Sequence, residues 1–294
     1  MTKNFGLGVA LITPFDAKGE VDYKALKLLV NRLIDCKTDY LVALGTTSEY
    51  ATLSTKEKEK VLDTILETAN NRKPVILGVG GYNTVEVVDE IKKVPAAVST
   101  IMSVTPYYTK PSQTGLFIHF KEIALATDKP IILYNVPGRT SVNLTSETTL
   151  KLAHEFSNIA GIKEASGNFV QIMEIIRLKP ATFQVISGDD AITLPLISTG
   201  VTGVISVIGN LYPQAFGNIV RLSLENKFNE AQKIQYQLLP IMTAIFEDGS
   251  PAGVKSAMSV LKYCEHFVRK PLATVNDQTA KKIKNLVELL NQFN

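Results

Sequence analysis

The chain is poor in the residues that usually announce a metal, a disulfide scaffold or a charged partner. It has two cysteines, Cys36 and Cys264, in 294 residues. They lie far apart and form no CxxC, so neither a disulfide framework nor a zinc site is indicated, and a reducing cytoplasm is the expected compartment. The three histidines, His119, His154 and His266, are expected in helices or at their ends and share no ligand spacing. They read as structural, and no metal is expected. Charge is nearly balanced, with 31 Lys and Arg against 28 Asp and Glu. The lysines alternate with glutamates along helix-like segments, which leaves no block for a phosphate backbone and argues against nucleic acid as a partner. No apolar run approaches the roughly 20 residues of a membrane span. The short run Gly6–Thr13 lacks the length of a secretory core and a small-residue cleavage site. A soluble protein without a membrane partner is expected. A dinucleotide fingerprint is missing too: Gly6-Leu-Gly8 lies inside a strand-like run, and Gly78-Val-Gly-Gly81 has no further glycine at the required spacing. These glycines read as turns and close packing, and no cofactor is expected.

What is present is a core and a rhythm. At 45% hydrophobic the chain can bury a large interior. Short Val- and Ile-rich runs at Gly6–Thr13, Tyr40–Gly45, Pro74–Gly80, Ser99–Pro106, Pro130–Pro137, Ile159–Lys163, Phe183–Gly188 and Gly203–Gly209 do not alternate with polar residues. That is the pattern of parallel strands covered on both faces. Helix-periodic stretches separate them. Leu26, Leu29, Val30, Leu33 and Ile34 share one stripe, and Val61, Leu62, Ile65, Leu66 and Ala69 share another. Ser54-x-x-Glu57, Asn83-x-x-Glu86 and Asn168-x-x-Gln171 predict helix N-termini with reciprocal caps. Strand-then-helix units of roughly 27 residues point to an α/β fold, a (β/α)8 TIM barrel. After residue 225 only helical patterns remain, at Asn229–Ile245, Val254–Tyr263 and Thr279–Phe293, with a kink predicted at Pro240. The expected organisation is a catalytic barrel over 1–225 and a C-terminal helical extension over 226–294.

In such a barrel, residues just beyond the C-terminal ends of the strands converge on one face. Strand two ends in Gly45-Thr46-Thr47-Ser48-Glu49, strand four in Thr105-Pro106-Tyr107-Tyr108, strand five in Tyr134-Asn135-Val136-Pro137-Gly138-Arg139, strand six in Lys163 and strand seven in Gly188-Asp189-Asp190. Each has an ordinary explanation. Threonines cap turns, adjacent tyrosines pack, Asp189 and Asp190 cap a helix, and a strand-end lysine snorkels to water. Together they offer an amine, a phenol, hydroxyls and a guanidinium without a histidine or a metal cluster. Burial at a strand end disfavours an ammonium ion, and an uncharged amine is a nucleophile. The set suits Schiff-base chemistry on a carbonyl compound that bears a carboxylate.

The segments Gly45-Thr46-Thr47, Thr105–Tyr108, Tyr134–Arg139, Gly161–Ser166 and Ser187–Asp190 resemble, in order along the whole chain, those of the dihydrodipicolinate synthase family within the N-acetylneuraminate lyase group of class I aldolases. The resemblance implies condensation of pyruvate with L-aspartate 4-semialdehyde through an imine on Lys163, giving 4-hydroxy-tetrahydrodipicolinate on the route to diaminopimelate and lysine. It implies a proton relay through Tyr134, Thr46 and Tyr108, the last donated by a neighbouring subunit of a homotetramer built as a dimer of dimers. It further implies that Thr47 holds the pyruvate carboxylate, that Arg139 holds the semialdehyde carboxylate, and that Gly188 and the Ile205 carbonyl lie near the substrate. Lysine and tyrosine are common to the whole group, so they indicate pyruvate imine chemistry only. Arg139, one of six arginines, is the narrower signal, because sugar-acid aldolases of the group typically lack it.

Two other readings remain at this stage. One is another pyruvate-dependent aldolase, of the N-acetylneuraminate lyase or 2-keto-3-deoxy sugar acid type. The other is a catalytically silent barrel that senses a keto acid. The chain also departs from the family pattern. Ser48 and Tyr50 replace a glycine and a serine after strand two, and Ser250 interrupts an asparagine-proline stretch in Gly249–Lys255, for which the sequence suggests no role. Tyr50, Thr55, Lys58 and Tyr82 occupy positions that in lysine-sensitive members surround the effector. Lys58 would repel a lysine ammonium, although Glu86 could pair with it, so weak or absent feedback is expected. Phe117 and Tyr212 are expected to be exposed, as ordinary surface residues as often as contacts.

Overall fold

A computed structural model describes residues 5–293. The apolar runs become β1 Gly6–Ala10, β2 Tyr40–Ala43, β3 Val75–Gly78, β4 Thr100–Val104, β5 Ile131–Asn135, β6 Ile159–Glu164, β7 Gln184–Ser187 and β8 Gly203–Ser206. They form one closed barrel in sequence order. The registered pairs are parallel. Every residue of β1, β2, β3, β5 and β8 is buried, which is why these strands carry no polar alternation.

The helices are α1 Tyr23–Asp35, α2 Thr55–Ala69, α3 Thr84–Ile91, α4 Gln113–Leu125, α5 Pro137–Thr140, α6 Ser146–Glu155, α7 Phe169–Leu178, α8 Thr193–Ser198, α9 Pro213–Leu224, α10 Phe228–Ala244, α11 Ala252–Val260 and α12 Asp277–Leu289. The predicted stripe of α1 is buried in full, whereas in α2 Leu66 is half-buried and Thr64 is buried, its hydroxyl donating to the Lys60 carbonyl. Of the three predicted caps only Ser54 and Glu57 form the reciprocal box. Asn83 caps α3 through Val85 N–H while its own amide donates to Glu86. Asn168 caps α7 through Gln171 N–H, but the Gln171 side chain turns inward to Asn143, Leu144 and Glu164. A buried acceptor out-competes a solvated cap.

The chain divides into two compact units, one of Val75–Ile205 with Phe5, the other of Gly6–Pro74 and the residues from Ser206 onward. The first carries β3 to β7 and most of β8. In the second, α9 packs on β1, α10 on α9, and α12 on both α10 and α11. Pro240 lies inside α10, which continues as one helix through it. Gly253 permits α11 to start against the end of α10, since a Cβ there would lie 2.2 Å from the Ile245 carbonyl oxygen. No helix among the described residues is long and apolar enough to cross a membrane.

Four further sequence expectations are corrected. Tyr212 is fully buried, not a surface aromatic: it precedes α9, and its ring meets Phe293 edge-on at 6.4 Å. Phe117 is half-buried under Lys151. Asp189 and Asp190 do not cap α8, whose N-cap is Ile192; the Asp189 carboxylate instead accepts from Ala191 N–H at 3.0 Å in a local turn. His266 lies in the irregular segment after α11, whereas His119 and His154 are helical.

Candidate active site

In the first unit, β5 and β6 set Tyr134 directly opposite Lys163. The lysine Nζ lies 4.2 Å from the centre of the tyrosine ring, and both residues are 6% exposed. The ring face packs against the end of the lysine side chain and, with both residues buried, restricts where its nitrogen can lie. Gly188, just past β7, gives the lysine its room. A Cβ at Gly188 would stand 3.0 Å from Lys163 Cε and 2.7 Å from the Ala165 methyl, so a larger residue would displace the amine. Its N–H donates to the Glu164 carbonyl at 2.7 Å. Ile205 is buried within β8.

Arg139 sits on α5, the single helical turn that follows β5. Pro137 at its first position presets the helical φ, and Ser141 ends it in the left-handed region at φ 56°. The arginine side chain is exposed while its neighbour Thr140 is buried and accepts from the Thr105 hydroxyl at 3.3 Å. After β4 the two tyrosines part. Tyr107 packs edge-on against Tyr82 at 5.6 Å, and burial pushes its phenol up. Tyr108 is 88% exposed at φ 68°, at the centre of a turn closed by Thr109 N–H to the Tyr107 carbonyl. A non-glycine residue in the left-handed region carries a backbone cost.

In the second unit, Thr46 and Thr47 open a short 3-10 turn after β2, Thr46 exposed and Thr47 buried. Glu49 ends that turn at φ 58°. Its carboxylate pairs with Lys255, both side chains being fully buried, and accepts from Arg269 N–H at 2.9 Å. The Lys255 ammonium also donates to the Phe267 carbonyl at 2.9 Å; burial pushes its pKa down and Glu49 opposes that. This gives the segment Gly249–Lys255 the role the sequence did not suggest: α11 anchors the turn that presents the threonines.

Sequence reasoning also missed the polar group behind Lys163. Glu164 is buried and accepts from Asn135, from the Ser166 hydroxyl at 2.6 Å and from the Gln171 amide at 3.4 Å. Burial pushes its carboxyl up, against those hydrogen bonds. Its signal was present: an acidic residue closing an apolar strand has to find donors.

The model of the dihydrodipicolinate synthetase family matches residues 3–290. A 4-hydroxy-tetrahydrodipicolinate synthase of Flavobacterium psychrophilum is 49% identical over 288 residues, 98% of each chain. The crystal structure of the dihydrodipicolinate synthase of Aquifex aeolicus superposes with a TM-score of 0.95 at 39% identity, over 98% of each chain. A monomeric dihydrodipicolinate synthase variant superposes with a TM-score of 0.94 at 33% identity, over 98% of this chain and 96% of that one.

Proposed function

The chain belongs to the dihydrodipicolinate synthetase family, and from that membership we propose that it condenses pyruvate with L-aspartate 4-semialdehyde to give 4-hydroxy-tetrahydrodipicolinate. The observation that carries the reading is the buried Lys163 amine over the Tyr134 ring, in a chain whose relatives bear that activity in their names.

Lys163 adds to the keto carbon of pyruvate, and loss of water leaves a protonated imine. The imine draws electrons from the adjacent methyl group, so a methyl proton leaves near neutral pH and an enamine forms. The enamine carbon attacks the aldehyde of the second substrate, whose oxygen takes up a proton. The amine of that substrate then replaces Lys163 at the imine carbon, which closes the ring and frees the enzyme. Tyr134 moves the protons of imine formation and aldehyde addition, with Thr46 and Tyr108 as its relay. Thr47 receives the pyruvate carboxylate. Arg139 receives the semialdehyde carboxylate, to which a planar guanidinium offers two parallel N–H groups. Gly188 and Ile205 border the bound pyruvate.

The exposure of Tyr108 supports a site completed by a second copy of the chain, in a homotetramer. The monomeric family member makes this a property to be measured, by light scattering on the purified protein. The relatives' names favour the synthase over a sugar-acid aldolase.

The decisive experiment is borohydride trapping with pyruvate, read by peptide mass spectrometry, beside turnover with aspartate semialdehyde and a Lys163→Ala control. A reduced adduct on Lys163 with turnover supports the reading. An adduct without turnover points to the sugar-acid aldolases, and no adduct removes the imine mechanism.

A further inference from the structure

Tyr134 and Lys163 face one another across β5 and β6, and the next residues along, Asn135 and Glu164, are the next registered pair. Side chains alternate faces along a strand, so the second pair lies behind the first. There the two residues, at 0% and 1% exposure, form the centre of a closed polar group. The Asn135 amide donates to Glu164 and, at 2.9 Å, to the Asn143 side-chain oxygen, while its own oxygen accepts from Leu144 N–H at 2.9 Å. Glu164 takes further donors from Ser166 and Gln171, and Gln171 accepts from the Asn143 amide at 2.8 Å. Asn143 and Leu144 begin two residues after Ser141, which ends the turn that carries Arg139. One buried group therefore binds together the segments that bear Tyr134, Lys163 and Arg139.

Pairing of β5 with β6 has a reason to need it. The register shifts between Ile131 and Ile132, whose partners are Ile159 and Gly161, so Ala160 is an extra residue. Above such a bulge the alignment is not inherited from below. A one-residue slip would set Tyr134 against Ile162 or Glu164 and turn the lysine away from the phenol. Ordinary ladder hydrogen bonds do not discriminate between those registers. A side-chain clamp between Asn135 and Glu164 does, because it forms in one register only.

We propose that Asn135 and Glu164 are positioning residues of the imine chemistry, holding Lys163 and Tyr134 opposite one another from behind. The inference rests on the function proposed above. Glu164→Gln puts an N–H group in place of one of the two acceptor oxygens that Asn135 and Ser166 meet, and Asn135→Asp sets a carboxylate against Glu164. The exchanged pair, Asn135→Asp with Glu164→Gln, restores one donor facing one acceptor.

The test is the rate of borohydride-trappable adduct formation on Lys163 with pyruvate alone, with kcat and KM for pyruvate and the unfolding midpoint for each variant. Each single variant should form the adduct and turn over roughly ten- to a hundredfold more slowly, with the loss in kcat and little change in KM. The exchanged pair should recover most of it. Single variants that are folded and as fast as the parent overturn the inference, as does an exchanged pair no faster than the singles. Ser166→Ala, which removes one donor and buries no new charge, serves should a single variant not fold. Severalfold slower trapping is expected of it, and an unchanged rate overturns the inference. Absence of an adduct in the parent protein would sink the proposed function itself, whereas a parent that traps normally beside unaffected variants sinks this inference alone.

Discussion

Glu164 and Glu49 both lie buried beside segments that carry proposed site residues, yet the chain satisfies them in opposite ways. Glu164 is surrounded by neutral donors, Asn135, Ser166 and Gln171, all within 30 residues of it in the chain. Glu49 is met by a buried ammonium, Lys255, and by the Arg269 backbone, each more than 200 residues away. A neutral shell leaves the carboxyl free to respond to burial, and its pKa rises. A buried ion pair binds distant chain segments but makes each partner depend on the other. The first arrangement suits the register of two neighbouring strands. The second suits a turn that has to be held by a helix from the far end of the sequence.

The comparison is broken most easily at the ion pair. Lys255→Met would leave an uncompensated buried carboxylate and should cost about 3–5 kcal/mol of stability by urea unfolding. A double variant with Glu49→Gln should recover more than half of that. A single variant as stable as the parent would mean that the pair is not desolvated. At Glu164 the loss should be smaller. Glu164→Gln keeps the neutral shell and puts an N–H group in place of one acceptor oxygen inside it, at about 1–3 kcal/mol. Should it destabilise as much as Lys255→Met, the distinction between charged and neutral satisfaction fails.

Acid and base should then separate the two regions. Glu57, which joins Arg269 beside the ion pair, is held at about 2, below the usual 4.5, chiefly by hydrogen bonds from that guanidinium. A carboxyl depressed on folding stabilises above its unfolded pKa and loses that contribution as pH falls through about 2. Glu164 is raised, so its contribution is present in acid and declines as pH rises above the ordinary carboxylate range through its folded pKa. Melting temperatures across pH should show Glu57→Gln flattening the acid limb and Glu164→Gln leaving it intact. A parallel response of both variants would contradict the assignment.

The smallest effect is expected just beyond Glu49. Lys58 lies over the Tyr50 ring at 3.8 Å, and Glu86 is engaged by the Asn83 amide at 3.0 Å. Added L-lysine should leave turnover essentially unchanged. Inhibition at sub-millimolar lysine, with lysine bound near Glu86 in a crystal, would show the opposite.

Much of the barrel was legible because its signals are local. Uninterrupted Val and Ile runs mark strands covered on both faces, and Ser54 with Glu57 needs only four residues to announce a helix start. Lys163 and Tyr134 were legible as strand-end residues, and parallel neighbouring strands brought them together. Errors arose where a side chain had a choice. Tyr212 reads as an exposed aromatic until α9 is docked, and Gln171 reads as a reciprocal cap until Glu164 and Asn143 offer it buried partners.

By itself, then, the sequence determined the strand and helix rhythm, the barrel class and the chemical types available at the strand ends. All follow from periodicity and from residues adjacent in the chain. The tertiary structure alone decided which partner each buried polar group would take: Lys255 for Glu49, Asn135 for Glu164, and no helix cap for Asp189. The physical reason is that hydrophobic burial is encoded residue by residue, whereas a hydrogen bond in a dry interior depends on which donors the finished packing brings within about 3 Å.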